Sequence, residues 1–403
     1  MEEGEGLNPK LAPNNGIQIK NIKKNQIGKG KRVVKQMDVD REMGIPFQEE
    51  IIMDILSRLP VQSLLRFKCV SKPWKKLISE PYFTRMHLSH GKNNQNSQRF
   101  LICQEKPKGG MVSCYHASLP SIELVEDVQK LDCPSDFKPW FFVIFCCFDG
   151  LSLITVGSYH DLICLLWNPF TRESVVLPRP EFPPKEDFIC GLGYDSTTDD
   201  YKILKIDMDR NHNCGVPNEI LSLKNGSWSK IDEHPSGISY VVNARSSLAF
   251  VHGAFHWLGY SRNYSMISFS ISNEVYGEIP LPERMCLVQR HNEFDVSVLE
   301  GMLCVYSADT DTERQYTFKS WLMKDYGVKE SWTELITIQD NGISLATPKY
   351  RFTNGEVLLR CVDAKGRIVF MTSKGPFGSW PRFDIAEDGF VITESLISPK
   401  LLM

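Results

Sequence analysis

The chain has 403 residues, 42% hydrophobic and 24% charged, with a formal net charge of −3. This is a globular composition, long enough for one large domain plus a small one. It contains no run of about 18 apolar residues, and its first residues, MEEGEGLNPK, are acidic and polar where a secretory leader is basic then apolar, so a soluble, non-secreted protein with no membrane partner is expected.

Charge divides the chain into regions. Residues 1–44 hold nine Lys/Arg against six Asp/Glu, residues 45–90 seven against four, and the remainder thirty against thirty-nine. An acidic large domain repels phosphates, so no nucleic-acid partner is expected. The twelve cysteines are scattered, form no C-x-x-C pair and mostly sit inside apolar runs, as with Cys103, Cys164, Cys304 and Cys361, which reads as reduced core thiols. The adjacent Cys146 and Cys147 should point to opposite faces of a strand.

The tail, residues 1–44, carries seven basic and no acidic residues between Lys20 and Lys35, with few large side chains to form a core, and reads as a disordered basic and polar arm. Its lysine clusters loosely resemble a bipartite nuclear import signal. Gly28-Lys29-Gly30-Lys31 lacks the strand, spacing and Ser/Thr of a phosphate-binding loop.

Residues 45–88 predict three short helices. In the first, Ile51, Ile55 and Leu59 fall at i, i+4, i+8 and Ile52, Leu56 and Leu59 at i, i+4, i+7, two adjacent apolar stripes over about half the surface. Glu49 and Glu50 favour its first turn. Pro60 ends that helix, a second runs from about Val61 to Val70, and Ser71 caps a third in which Pro73 falls in the first turn and Trp74, Leu77 and Ile78 form the buried face. A unit this small cannot cover its own second stripe. Either a partner or the chain's own downstream domain must do so.

The pattern Ile51-Ile52-x-x-Ile55-Leu56-x-x-Leu59-Pro60-Val61-x-x-Leu64-Leu65-x-Phe67-x-Cys69-Val70-Ser71-Lys72-x-Trp74, preceded by Ile45-Pro46 and closed by Leu77-Ile78 and Pro81-x-Phe83, resembles the F-box in the form common in plants. Ile45 stands for the usual Leu and Pro73 for the more usual Ser, and neither breaks a helix interior. The resemblance implies docking on the Skp-type adaptor of a cullin-RING ubiquitin ligase. Carried over by position, the adaptor-facing residues are Pro46, Ile51, Ile55, Leu56, Leu59, Pro60, Leu64 and Val70, while Trp74 locks the third helix.

Residues 89–98, SHGKNNQNSQ, read as a polar linker. From Arg99 the pattern changes to short strands that repeat. Residues 142–178 divide at Asp149-Gly150, at 157–161 and at Asn168-Pro169 into four runs, the length of one propeller blade. Comparable units follow. Gly150, Gly253, Gly301 and Gly355 recur as hairpin glycines, Arg99 to Leu124 supplies a more divergent unit, and FVITESLI near the C-terminus is placed to close the ring against it. The expected fold is multidomain, α plus all-β: a three-helix module followed over 99–403 by a propeller of about six blades, with five blades or an irregular sandwich as alternatives.

Trp167-Asn168-Pro169-Phe170-Thr171-Arg172 leading to Leu177-Pro178, Gly191-Leu192-Gly193-Tyr194-Asp195 leading to Asp200-Tyr201-Lys202, and Gly253-Ala254-Phe255-His256-Trp257-Leu258 resemble the plant F-box-associated domain, often described as kelch-like. This second resemblance implies a substrate receptor of the cytoplasm or nucleus, with cullin and RING subunits reached through the adaptor, an unidentified protein as substrate, and neither cofactor nor catalytic or metal-binding residues of its own. The alternatives are an adaptor-binding scaffold without a role in ubiquitination and a kelch-type propeller enzyme.

The chemical features have structural readings. His252 and His256, four apart in a strand, would share a face about 13 Å apart, too far for one metal ion. His212-Asn213-Cys214 reads as an exposed loop, and Trp167, Trp228, Trp257 and Trp332 as core residues at repeat positions. Lys205–Pro217, Asn225–Trp228, Ser261–Tyr264 and Asp309–Arg314 are the loops long and polar enough to present a binding surface.

Overall fold

The computed structural model describes residues 49–403 apart from 107–109, 120–127, 133, 135–140, 159–160, 182–187, 208–217, 233–238, 241–246, 261–263, 283–292, 311–315, 341, 364–367, 374 and 377–385. The basic tail, Pro46 and the His212-Asn213-Cys214 trio lie outside the described residues.

Four helices come first, one more than the sequence suggested: α1 (Glu49–Ser57), α2 (Val61–Phe67), α3 (Lys72–Ser79) and α4 (Pro81–Lys92). Ser71 Oγ accepts the Trp74 amide at 3.3 Å, and Pro73 occupies the first turn of α3 as its spacing required. Helix α2 is shorter than expected because the chain turns over Lys68–Val70. Pro81 starts α4 with its fixed φ, and Phe83, His87, Leu88 and Gly91 form the buried face of that helix. The stretch 89–98 is therefore no linker. It holds the end of α4, a 3₁₀ turn at Gln95–Ser97 and the first residue of a strand. The polar composition misled because only Gly91 and Gln98 of this stretch are buried, the Gln98 amide donating to the Gly91 carbonyl at 2.9 Å.

The remainder forms six antiparallel sheets, four strands in each meander, arranged as a six-bladed β-propeller. Blade 2 runs Phe141–Phe148, Leu151–Ser158, Asp161–Asn168 and Glu173–Val176, from the inside outward. Blades 3, 4 and 5 start at Phe188–Asp195, Ala249–Val251 and Glu293–Leu299, and blade 6 at Ile343–Arg351; blade 4 has a fifth, two-residue strand, Ser239–Tyr240, beside its second. Blade 1 takes its inner strand, Ala386–Thr393, from the far end of the chain and its outer three, Gln98–Lys106, Gly110–Ser118 and Gln129–Leu131, from the start. Gln98 pairs with Thr393 and Leu101 with Phe390, so FVITESLI closes the ring as its pattern suggested.

The first hairpin of blades 2, 4 and 5 turns on Asp149-Gly150, His252-Gly253 and Glu300-Gly301, both residues of each pair having positive φ, the geometry that follows the right-handed strand twist. Gly355 serves a wider loop in which the Phe352 amide donates to the Glu356 carbonyl at 2.8 Å. His252 is thus a turn residue and shares no strand face with His256. The two rings instead flank Tyr326: His252 lies against it at 4.6 Å between centroids, and His256 Nε2 accepts from its hydroxyl at 2.8 Å.

The recurring words have mechanical roles. Asn168, fully buried, donates through Nδ2 to the Ser395 and Ile397 carbonyls and accepts the Phe170 and Thr171 amides, pinning a turn of blade 2 to the C-terminal segment. Asp195 accepts from Thr197, Thr198, Lys202 and Ser272, which ties a turn of blade 3 to blade 4; those bonds outweigh its burial and hold its carboxyl far below the usual range. Trp167 and Trp257 are core residues as expected. Trp228 and Trp332 are only half-buried, each donating its indole N–H at 2.8 Å to a proline carbonyl just past the outer strand of the preceding blade, Pro178 and Pro280.

Candidate functional site

The exposed apolar surface of the helices follows from how α1 is shared. Leu56 and Leu64 are 3% and 0% exposed and join Val61, Leu77, Ile78 and Phe83 in one cluster with Leu101, Phe142, Ile154, Trp167 and Ile392 of blades 1 and 2. The helices thus have no core separate from the propeller. This corrects the expected roles of Leu56 and Leu64: both face inward, Leu56 with Ile52 on the inner stripe of α1 and Leu64 on the inner side of α2, packed into the same cluster as Val61, Ile78 and Phe83. The other stripe faces out. Ile51 is 46% exposed and Ile55 56%, Pro60 is exposed and Leu59 half-buried, and Val70 in the turn after α2 is 66% exposed. Tyr82, at the start of α4, is a further exposed aromatic, 68% exposed. Trp74 packs edge-on to Phe67 at 5.3 Å and locks α3 as expected.

Polar contacts fix the helices on the ring. Arg85 donates to the Asp199 carboxylate at 2.8 Å, and Lys92 pairs with Asp149 at 2.5 Å while lying over the Phe148 ring. The Val61 amide donates to Glu394 Oε2 at 3.2 Å. His87 Nε2, which must donate to a carbonyl, reaches Leu59 O at 3.0 Å, and burial holds this imidazole below its ordinary pKa.

These contacts place α2 and α4 at one end of the blades, the end carrying the Asp149-Gly150 and 195–200 turns. In an antiparallel meander successive turns alternate between ends. Of the four loops singled out for binding, 205–217, 261–264 and 309–314 join second to third strands and so leave the blades at the far end, largely through residues outside those described. Asn225–Trp228 joins a third strand to a fourth and lies at the helix end, which separates it from the other three.

A central cavity of about 1380 Å³ runs among the inner strands. Asp295, Tyr306, Thr347 and Arg360 line it, with Lys92 and Gln95 of the helical module contributing as well. Asp295 and Tyr306 are cross-strand partners joined at 3.2 Å, and burial followed by that carboxylate pushes the Tyr306 hydroxyl far up, so it serves as a donor. Cys146 and Cys147 do face opposite sides of their strand, each packed with a different core cluster, and burial pushes the Cys146 thiol up to about 12. Cys304 and Cys361 are likewise pushed up to about 12, so these are protonated core thiols and poor nucleophiles.

Residues 48–86 match the F-box domain, and residues 87–379 match the F-box associated beta propeller domain. The chain belongs to the F-box-associated β-propeller family. It is similar to the F-box protein CPR1 of Arabidopsis thaliana, 28% identical over 318 residues that cover 72% of each chain. An F-box/kelch-repeat protein of the same plant is 27% identical over 315 residues, 75% of this chain and 82% of the relative. This F-box protein thus joins, within its described residues, an outward apolar helical face to a propeller whose first and third turns lie at the same end as the helices.

Proposed function

We propose that the chain is the substrate-recognition subunit of a Skp-cullin-F-box ubiquitin ligase, acting in the cytoplasm or nucleus. The Skp-type adaptor packs on Ile51, Ile55, Leu59, Pro60 and Val70, with Pro46 extending the contact, and brings the cullin and RING subunits; the propeller holds the target protein. The subunit supplies no reacting group. It promotes ubiquitination by proximity, raising the effective concentration of target lysine near the ubiquitin thioester.

One observation carries this reading: α1 divides its two apolar stripes, one buried in the core that the helices share with the blades and one presented to solvent, while Val70 after α2 is also exposed. Burying a side chain of the Ile or Val class is worth roughly 1.5–3 kcal/mol, so this small patch can hold a partner after association costs are met. The test is co-purification of the full chain with a Skp-type adaptor, beside an Ile51→Asp/Ile55→Asp variant. Wild type should retain the adaptor, and the variant should lose it while melting like wild type. Retention by both, or by neither, refutes the adaptor surface. With adaptor bound, unchanged half-lives of every propeller-bound protein on depletion of this chain would replace the receptor by a scaffold.

A further inference from the structure

Glu394, at the end of the ring-closing strand, is a buried carboxylate whose two oxygens serve different parts of the chain. Oε1 accepts Arg99 Nε at 2.7 Å, from the strand that pairs with the closing strand, and Oε2 accepts the Val61 amide of α2 at 3.2 Å. The Glu394 amide donates to the Ser97 carbonyl at 2.9 Å, and Thr393 Oγ1 donates to Gln98 Oε1 at 3.1 Å. Gly91 of α4 approaches Thr393 so closely that an added Cβ would lie 3.1 Å from its methyl group. Ile392 and Leu396 on either side share the apolar cluster of Leu56, Val61 and Leu64. The closing strand, the strand it closes against and the F-box helices therefore meet at one carboxylate and in one core.

We infer that the F-box and the ring seam are a single cooperative unit centred on Glu394, so that a protein seated on the outer face of α1 and α2 tightens closure of the propeller. The helices cannot open without uncovering Ile392 and Leu396, and the seam cannot open without stripping α2 of the cover over Val61 and Leu64. Coupling of this kind is reciprocal: whatever stabilises the closed ring raises the affinity of the helical face by the same factor.

Native-state hydrogen exchange of the full chain in rising urea tests the unit without any variant. Amides of Leu56–Leu64 and of Phe390–Glu394 should open together, with the same urea dependence, apart from those of Met266–Phe269 in blade 4. Helices that open at lower urea than the closing strand overturn the inference. In a Glu394→Gln chain, exchange at Val61–Leu64 should rise about tenfold with blade 4 unchanged, since a charged hydrogen bond is lost; an unchanged rate also overturns it. A third arm rests on the receptor reading: added Skp-type adaptor should protect Phe390–Glu394. Binding without that protection removes the coupling, whereas no binding removes the receptor reading and leaves the urea result to decide the unit.

Discussion

Three glycines with one backbone conformation provide an internal control on the seam. Gly150, Gly253 and Gly301 hold φ of +79°, +75° and +74° in two-residue turns of the same kind. Alanine at any of them carries the left-handed strain of an L-residue, about 1–2 kcal/mol. At Gly253 and Gly301 nothing stands within 4 Å of the added Cβ. At Gly150 the Cβ would fall 2.5 Å from Ser395 Cβ and 2.7 Å from the Thr393 carbonyl oxygen, backbone that Asn168 and the Thr393–Gln98 bond hold in place. Forcing that segment outward adds about 1–3 kcal/mol. Urea unfolding followed by tryptophan fluorescence should show Gly253→Ala and Gly301→Ala destabilised by about 1–2 kcal/mol and Gly150→Ala by about 2–5 kcal/mol. Three equal losses would mean that the C-terminal segment yields freely and that the close approach stabilises nothing.

Lys205 and Glu219 form a 2.7 Å ion pair with side chains only 2% and 1% exposed, inside blade 3. Lys205→Met should cost about 3–5 kcal/mol in urea unfolding, because it strands a buried carboxylate, while Lys205→Met/Glu219→Leu should recover most of it; equal losses in both would refute the desolvation argument. Burial brings the His256 imidazole down to about 4. The folded chain then takes that proton only near pH 4 and the unfolded chain near 6.5, so the contribution is complete above pH 6.5 and is lost as pH falls toward 4. The loss amounts to about 3 kcal/mol. A His256→Gln chain should lack this part of the acid destabilisation; an identical pH profile would contradict it.

The strand repeats, the ring closure, the break at Pro60 and the Ser71 cap of α3 were legible because each rests on local rules: period-two alternation, turn glycines, and proline at a helix boundary or in a first helical turn. What failed was long-range. Nothing local distinguishes the Ile51–Ile55 stripe of α1 from the Ile52–Leu56 stripe, and only the packing of α1 into the shared core decides which is covered. Leu64 takes an outward role only by carry-over from the F-box pattern, and its burial in the core that the helices share with blades 1 and 2 could not be read from its neighbours. Helix α4 was lost to the polar run 89–98, although the spacing of Phe83, His87, Leu88 and Gly91 already traced its inner face. Glu394 gave no signal, since a carboxylate becomes a structural ligand only when two distant segments arrive at it.

The shared core also constrains how a receptor of this build can work. A tethered F-box would let a held target sample many positions, and effective concentration would fall with tether length. Here the helices sit on the ring through buried Leu56, Val61, Leu64 and Phe83 and through Arg85 and Lys92, and α4 runs into the first strand with no flexible segment between them. The far rim then stands one strand length away, about 26 Å for eight residues. In the proposed receptor a target bound there keeps a fixed offset from the adaptor face. Selection among its lysines is therefore geometric. Lengthening the 93–97 connection without touching the contacts of α4 should leave that offset unchanged, whereas Arg85→Glu together with Lys92→Glu should loosen it. Distances between spin labels on α1 and on blade 5 of the full chain read the difference: a distribution that broadens only in the charge-reversed chain supports rigid presentation, and an equally broad one in wild type refutes it.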